Sequence, residues 1–292
     1  MVTELKTKQL TWWPSPAKLN LFLHINGQYE NGYHQLQSLF QLLDFGDELA
    51  FEVNNSGKVH LANPIEGVPD SDNLIIKAAL LLKQTAPSPE AERFGCTIYL
   101  KKKLPMGGGI GGGSSNAATT LLVLNHLWKC NLDLDTLAKL GLSLGADVPI
   151  FIYGKTAFAE GVGEKLNFTS VPSSYYLVVF PNCHVSTADI FKDPDLPRNT
   201  PKIDFSEYQF SNTRNDCQKL VCERHVDVAN ALQWLLEYAP SRMTGTGACI
   251  FAMFEHKKDA LHVQSLLPNK MTSFVAKGVD SSPLHNQIQA HI

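Results

Sequence analysis

The sequence has no apolar run long enough to cross a membrane, which needs about 18 residues. Its longest apolar stretches, Leu74–Leu82 and Tyr175–Phe180, are too short, and the first contains Lys77. Asn20 and His24 interrupt the apolar segment nearest the N-terminus, and no small-residue cleavage site follows it. We therefore expect neither a membrane span nor a signal peptide, and a cytoplasmic location.

Cysteine and histidine are present, but they lack the spacings of a metal site or a disulfide framework. The 6 cysteines are scattered without a C-x-x-C pair, and the 10 histidines include no H-E-x-x-H. We expect free, buried thiols in a reducing compartment. A net charge of −3 offers no basic field for nucleic acid or an anionic membrane surface.

The pattern of apolar residues mixes strands and helices without a regular β-α-β alternation, which predicts two α+β domains. Alternation over Ala17–Ile25 predicts a half-buried strand, followed by turns at Asn26-Gly27 and Asn31-Gly32. The V-P-S-S stretch at Val171–Ser174 predicts the boundary, with domains over 1–170 and 171–292. Other predicted strands are Asp47–Val53, Lys58–Ala62, Cys96–Leu104, Tyr176–Phe180 and Thr272–Gly278, and predicted helices include Leu74–Gln84, Ser114–Trp128, Thr187–Lys192, Asp216–His225, Asp227–Tyr238 and Lys258–Leu267.

Glycine is distributed unevenly along the chain. Six of the 20 glycines lie within Gly107–Gly113, between a predicted strand and an Ala-rich predicted helix. Glycine lets a ligand approach the backbone amides closely, and the N-terminus of a helix attracts anions. The segment therefore predicts a polyphosphate site. A flexible linker is the alternative, although linkers are not usually framed so tightly by a strand and a helix.

Known phosphate-binding motifs match this cluster only in part. Gly107, Gly109 and Gly112 fit G-x-G-x-x-G, but Asp133 falls at a helix start rather than at the end of a second strand. A Walker A loop ending at Gly154-Lys155-Thr156 would need glycine where Pro149 stands. The protein-kinase motif set is absent as well.

What remains is P-x-x-x-G-x-G-x-x-S-S-x-A-A, which resembles the glycine motif of the GHMP kinase superfamily. P-A-K-L-N-L from Pro16 and L-G-A-D-V-P from Leu144 are similar to one branch, whose members phosphorylate 4-diphosphocytidyl-2-C-methyl-D-erythritol. The resemblance runs from about Trp13 to about Leu284. It implies a two-domain α+β fold with a ferredoxin-like second domain and an active site in the cleft between the domains. It also implies transfer of the ATP γ-phosphoryl group to the C2 hydroxyl, with Mg²⁺ and with no ligand named for the metal.

The resemblance assigns roles to individual residues. Lys18 and Asp147 are the implied catalytic pair. The implied ATP-binding residues are Pro105, Met106, Gly107, Gly108, Gly109, Ile110, Gly111, Gly112, Gly113, Ser114 and Ser115, with Asn73 and Lys102 near the adenine. The implied substrate-binding residues are Asn20, Tyr33, His34, Thr187, Phe191, Gly245 and Thr246, among which Tyr33 and Phe191 stack on the cytosine and His34 bonds to its edge.

Several of these residues have ordinary alternatives. Asp147 precedes a Val-Pro pair and so fits an N-cap, and a strand lysine such as Lys18 is usually solvated. The two serines fit helix caps, the run Lys101–Lys103 fits a solvated strand end, and Phe191 fits a core position. For the whole chain, the alternatives are another GHMP kinase, acting on homoserine or a mevalonate derivative, and a non-catalytic nucleotide-binding relative. We expect a monomer or a weak homodimer.

Overall fold

The computed structural model describes residues 10–291. Its strands are β1 (Trp12–Gln28), β2 (His34–Asn54), β3 (Val59–Leu61), β4 (Gly95–Lys101), β5 (Ala157–Glu160), β6 (Lys165–Phe168), β7 (Tyr175–Phe180), β8 (Ser241–Met243), β9 (Ile250–Phe254) and β10 (Thr272–Val279). Its helices are α1 (Leu74–Thr85), α2 (Gly112–Leu127), α3 (Leu134–Leu144), α4 (Val148–Tyr153), α5 (Thr187–Lys192), α6 (Gln218–Arg224), α7 (Val226–Leu236), α8 (Lys257–Ser265) and α9 (Pro283–His291). In this range no helix is both long and apolar enough to span a membrane.

The N-terminal half is built on the long strand β2, which pairs antiparallel with β1, β4 and β5. β3 joins the outer side of β4 in parallel, and β6 completes a hairpin with β5. Helix α2 packs against β1, α1 and α4, and their apolar faces form one core. This packing fixes the start of α2 beside β1.

The C-terminal half follows the order β7, helices, β8, β9, α8, β10, and its strands lie in the order β10-β7-β9-β8. This is the ferredoxin-like arrangement, so the predicted α+β class and second-domain fold are confirmed. The end of β10 pairs with β2 at Gly278 and Val279, which joins the two halves through one sheet. The domain boundary at Val171 stays a prediction.

The prediction of a half-buried first strand was wrong, because both faces of β1 are covered. Its apolar face, including Leu19 and Leu21, packs with residues of β7 and β9. On the polar face Lys18, Asn20 and His24 are also buried. Asn26-Gly27 lies within β1 rather than in a turn, whereas the turn at Asn31-Gly32 is present.

The predicted helix over Leu74–Gln84 is present, and the helix predicted over Ser114–Trp128 begins two residues earlier, at Gly112. Sequence patterns did not indicate β8 or α9, and of α4 they indicated only the N-cap position at Asp147. All 6 cysteines are free, with Cys183 and Cys222 half-buried and the others buried. Burial raises the pKa of the Cys96 thiol to about 12, so this thiol is unreactive at neutral pH.

Candidate active site

Lys18 projects from β1 into the groove between the two halves. Its side chain is only 3% exposed, which excludes the alternative of a solvated surface lysine. The ammonium Nζ lies 3.0 Å from Oδ2 of Asp147 and donates to Oδ1 of Asn20 at 2.6 Å. An ammonium has three donors. Two are therefore used by acceptors within residues 10–291, and the third has no acceptor there and is left for a ligand.

Asp147 occupies the N-cap position of α4, as its place before a Val-Pro pair suggested. Its side chain makes no capping hydrogen bond, however, and one carboxylate oxygen is turned to Lys18 instead. The side chain is 34% exposed, so the carboxylate is open to a substrate in the groove. The position is that of a cap, while the contacts are those of a charged group at a site.

Asn20 orients the lysine through a short chain of polar groups. Its Nδ2 donates to Oγ of Ser38 at 2.8 Å, and that hydroxyl donates to the carbonyl of Phe22 at 2.6 Å. Its backbone N–H donates to Oγ1 of Thr244 at 2.9 Å. Since Nδ2 is engaged with Ser38, Oδ1 must face the lysine. Ser38 belongs to this network although sequence reasoning missed it, and Thr244 directly precedes the implied substrate-binding residues Gly245 and Thr246.

The glycine cluster is an ordered loop and not a linker. Gly107, Gly109 and Gly111 all have positive φ, between 68° and 73°. Gly107 and Gly108 accept hydrogen bonds from the backbone N–H groups of Ala248 and Cys249 in the C-terminal half. Helix α2 begins directly after Gly111. The backbone amides of the loop therefore lie next to the N-terminus of a helix, where an anion is favoured.

Beside this loop lies a cavity of about 330 Å³. It is lined by Asn73, Lys102, Pro105, Met106, the loop glycines with Ile110, and Ser114. Asn73 caps α1 by accepting from the N–H of Ile75 at 2.9 Å, and its buried Nδ2 has no partner among residues 10–291. That free donor fits an acceptor atom of a bound nucleotide base.

Two of the residues assigned to ATP have other partners. Ser115 is fully buried, accepts a hydrogen bond from Ser15 at 2.9 Å and does not line the cavity. Lys102 lines the cavity, but its ammonium bonds to the buried carboxylate of Asp47 at 2.9 Å. Asp47 also accepts from the N–H groups of Lys103 and Leu104 and from Asn116 of α2. This buried carboxylate, which sequence reasoning missed, ties the end of β4 to the start of α2.

Replacing Gly109 tests how closely the loop is held. A Cβ at Gly109 would lie 2.5 Å from the carbonyl oxygen of Thr244 and 2.9 Å from that of Gly247. We expect Gly109→Ala to destabilise the fold by about 2–4 kcal/mol and to raise KM for ATP at least about tenfold. Thermal unfolding and ATP titration of turnover would measure both effects.

Gly67→Ala is the matched control, since Gly67 has a similar φ of 75° and a Cβ added there would meet no atom of the described residues within 4 Å. Its free energy of unfolding should fall by about 1–2 kcal/mol, through backbone strain alone. Equal effects of the two substitutions would contradict a clamped loop.

A second cavity, of about 280 Å³, adjoins the first at Gly109, Gly111 and Ser114. It contains the Lys18–Asp147 pair, and its other lining residues include Asn20, Thr187, Phe191, Gly245 and Thr246. The hydroxyls of Thr187 and Thr246 lie 2.7 Å apart. The ion pair is therefore located where the glycine loop meets this second cavity.

A third cavity, of about 780 Å³, continues from the second past Phe191 and is also lined by Tyr33, His34 and Arg198. The resemblance assigned the two stacking faces to Tyr33 and Phe191. In the structure His34 stacks on Phe191, with ring centroids 5.0 Å apart, and Tyr33 is 64% exposed. Arg198, which sequence reasoning missed, donates from Nε to Nε2 of His34 at 3.0 Å.

Family models match two parts of the chain. The model described as "GHMP kinases N terminal domain" matches residues 73–155, and "GHMP kinases C terminal" matches residues 203–272. The first match includes the glycine loop and Asp147, and the second includes Thr244 to Ala248. Both sides of the groove thus lie in matched regions.

Curated relatives match almost the full chain. A protein of Pseudoalteromonas atlantica named "4-diphosphocytidyl-2-C-methyl-D-erythritol kinase" is 63% identical over 283 residues, 97% of each chain. One of the same name from Shewanella loihica is 54% identical and covers 98% of this chain and 100% of its own. A crystal structure titled 4-(cytidine 5'-diphospho)-2C-methyl-D-erythritol kinase superposes with a TM-score of 0.79 at 28% identity, over 92% of this chain and 99% of that one.

Proposed function

The chain belongs to the GHMP kinase family, and from that premise we propose that it phosphorylates 4-diphosphocytidyl-2-C-methyl-D-erythritol. The γ-phosphoryl group of ATP goes to the C2 hydroxyl and gives the 2-phosphate, a step of the non-mevalonate route to isopentenyl diphosphate. Six relatives of this name are 53–63% identical to this chain over 94–100% of their own length. The enzyme is an ATP-dependent small-molecule kinase.

One observation carries this proposal: Lys18 and Asp147 form an ion pair at the junction of the loop cavity and the second cavity. A phosphoryl donor on the glycine loop would present its terminal group at Gly109 and Gly111, which line both cavities. An alcohol in the second cavity would then lie between that group and the carboxylate. Phosphoryl transfer depends mainly on such positioning.

We assign Asp147 to orient the acceptor hydroxyl and take its proton. The pKa values of a carboxylic acid and an alcohol differ by about 12 units, or roughly 16 kcal/mol, so the alcohol is not ionised beforehand. The proton therefore moves late, as the bond to phosphorus forms, which suits a loose transition state. The remaining N–H of Lys18 stabilises charge on the reacting oxygens.

We assign the loop amides and the start of α2 to the triphosphate, and the free Nδ2 of Asn73 to the adenine. Ser114 lines both cavities and is the better placed of the two serines. Mg²⁺ would neutralise negative charge on the phosphate groups in this chemistry. Within the described chain no cluster of three His, Cys, Asp or Glu residues forms a metal site, so ATP and water would supply most of its ligands.

The third cavity is assigned to the cytidine, with Tyr33, His34 and Phe191 around the base and the Thr187–Thr246 pair beside the diphosphate or polyol. For the oligomeric state we propose a monomer or a weak homodimer. We assign residues 1–170 to the ATP-binding domain and 171–292 to the substrate domain, of which residues 1–9 and 292 lie outside the described range. The free thiols favour the cytoplasm.

The test is ADP release with each candidate acceptor in turn: the cytidine substrate, homoserine and mevalonate. We expect turnover with the cytidine substrate alone. Turnover only with homoserine or mevalonate would indicate another GHMP kinase. ATP binding without turnover on any acceptor would indicate a non-catalytic relative.

A further inference from the structure

Arg198 lies in the irregular segment after α5, and its guanidinium fixes that segment at the wall of the third cavity. It donates to three backbone carbonyls: Leu196 at 2.9 Å, Phe191 at 3.1 Å and Asp193 at 2.7 Å. Its Nε–H donates to Nε2 of His34, the first residue of β2. One side chain therefore connects α5, which carries Phe191, to the strand that carries His34.

The hydrogen bond from Arg198 determines which nitrogen of His34 carries the proton. A guanidinium has donors only, so Nε2 of His34 must be the acceptor. In a neutral imidazole the proton then sits on Nδ1. Burial, with the nearby positive charge of Arg198, lowers the pKa of His34, so the ring is neutral at physiological pH.

His34 is also held in place by its ring. It stacks on Phe191 with an angle of 27° between the ring planes, and it is only 8% exposed. Nδ1 makes no hydrogen bond to any residue of the described chain, although His34 lines the 780 Å³ cavity. The ring thus offers this cavity one fixed N–H donor.

A fixed donor distinguishes the two common pyrimidines. N3 of cytosine is an acceptor, whereas N3 of uracil carries a hydrogen and is a donor. A histidine that could change tautomer would bond to either base, but a ring fixed with its proton on Nδ1 opposes the uracil N3–H. Sites that leave a buried polar group unpaired reject the wrong ligand strongly.

We propose that Arg198 is a specificity-determining positioning residue, which fixes His34 as a hydrogen-bond donor and so selects cytosine over uracil. This inference rests on the proposed cytidine substrate. It concerns two side chains of the protein itself, because Arg198 donates directly to His34.

The first test is the tautomer of His34 in the free protein, measured by 15N NMR of histidine-labelled enzyme near pH 8. His34→Gln identifies the resonance. We expect a protonated Nδ1 in the wild type and a shift toward protonated Nε2 in Arg198→Met. A wild-type ring protonated on Nε2 would overturn the proposal, whatever the enzyme phosphorylates.

The second test is the ratio of the Kd values for CDP and UDP, measured by calorimetry. We expect Arg198→Met to reduce the preference for CDP by about 10- to 100-fold, and Arg198→Lys to restore little of it. Arg224→Met is the matched control, since Arg224 bonds to Asp193 and Asp195 of the same segment without touching His34. An unchanged ratio in Arg198→Met, or an equal loss in Arg224→Met, would reduce Arg198 to a structural role. If the enzyme did not turn over the cytidine substrate, the proposed function would be wrong, while the NMR measurement would still decide the tautomer of His34.

Discussion

Asp147→Asn is expected to lower kcat by about 10²–10⁴-fold while KM for both substrates changes little. Asparagine has the same shape and still offers an oxygen to the ammonium of Lys18, 3.0 Å away in the wild type. What it loses is the ability to accept a proton. Because the proton moves in the transition state and not on binding, the loss should fall on kcat.

Asp259→Asn is a suitable control, since Asp259 is an exposed acid in the first turn of α8, on the C-terminal half. Its turnover should match the wild type. The measurement is steady-state ADP release at saturating substrates, with thermal unfolding to show that each variant folds. If Asp147→Asn kept kcat within about threefold of the wild type, the assignment of the carboxylate as proton acceptor would be wrong.

Lys18→Met is expected to lower kcat by about 10²–10³-fold, the usual effect of removing one charged donor from a developing oxyanion. Methionine keeps most of the length and apolar volume of the lysine stem beside the Phe40 ring, which lies 5.1 Å from Nζ. It also leaves Oδ1 of Asn20 and one oxygen of Asp147 without their cation. Because the apolar packing is kept while the cation is lost, we expect kcat to fall more than the free energy of unfolding does.

Lys103→Met provides the same change of residue type at an exposed ion pair with Glu48. A surface pair contributes at most about 1 kcal/mol, so this control should keep both stability and turnover. Comparing kcat, KM and the unfolding midpoint of the two variants separates chemistry from folding. A Lys18→Met enzyme that unfolds early yet keeps its kcat would show that the lysine is only structural.

Local motifs made the reactive part of the site predictable. The glycine loop, Lys18 and Asp147 each belong to a short segment whose residue types are unusual together. The structure brings these three segments to one groove. Their roles were nevertheless implied by resemblance, since the sequence pattern alone also allowed a cap at Asp147 and a solvated lysine.

Residues that act through distant partners were not predictable. Arg198 bonds to a histidine 164 positions earlier, and Thr244 meets Asn20 across 224 positions. No local pattern carries such information, since an arginine in a polar loop is normally solvated. The burial of both faces of β1 was not predictable for the same reason. The residues of β7 and β9 that pack on its apolar face lie far along the chain.

The most direct test of the central claim is the 31P NMR spectrum of the product made from ATP and 4-diphosphocytidyl-2-C-methyl-D-erythritol. The C2 carbon carries no hydrogen, so a phosphate on its oxygen gives a monoester resonance without proton splitting. We predict one such unsplit resonance, growing in step with ADP. A monoester resonance split by protons of C1 or C3, or no new monoester at all, would contradict the proposed reaction.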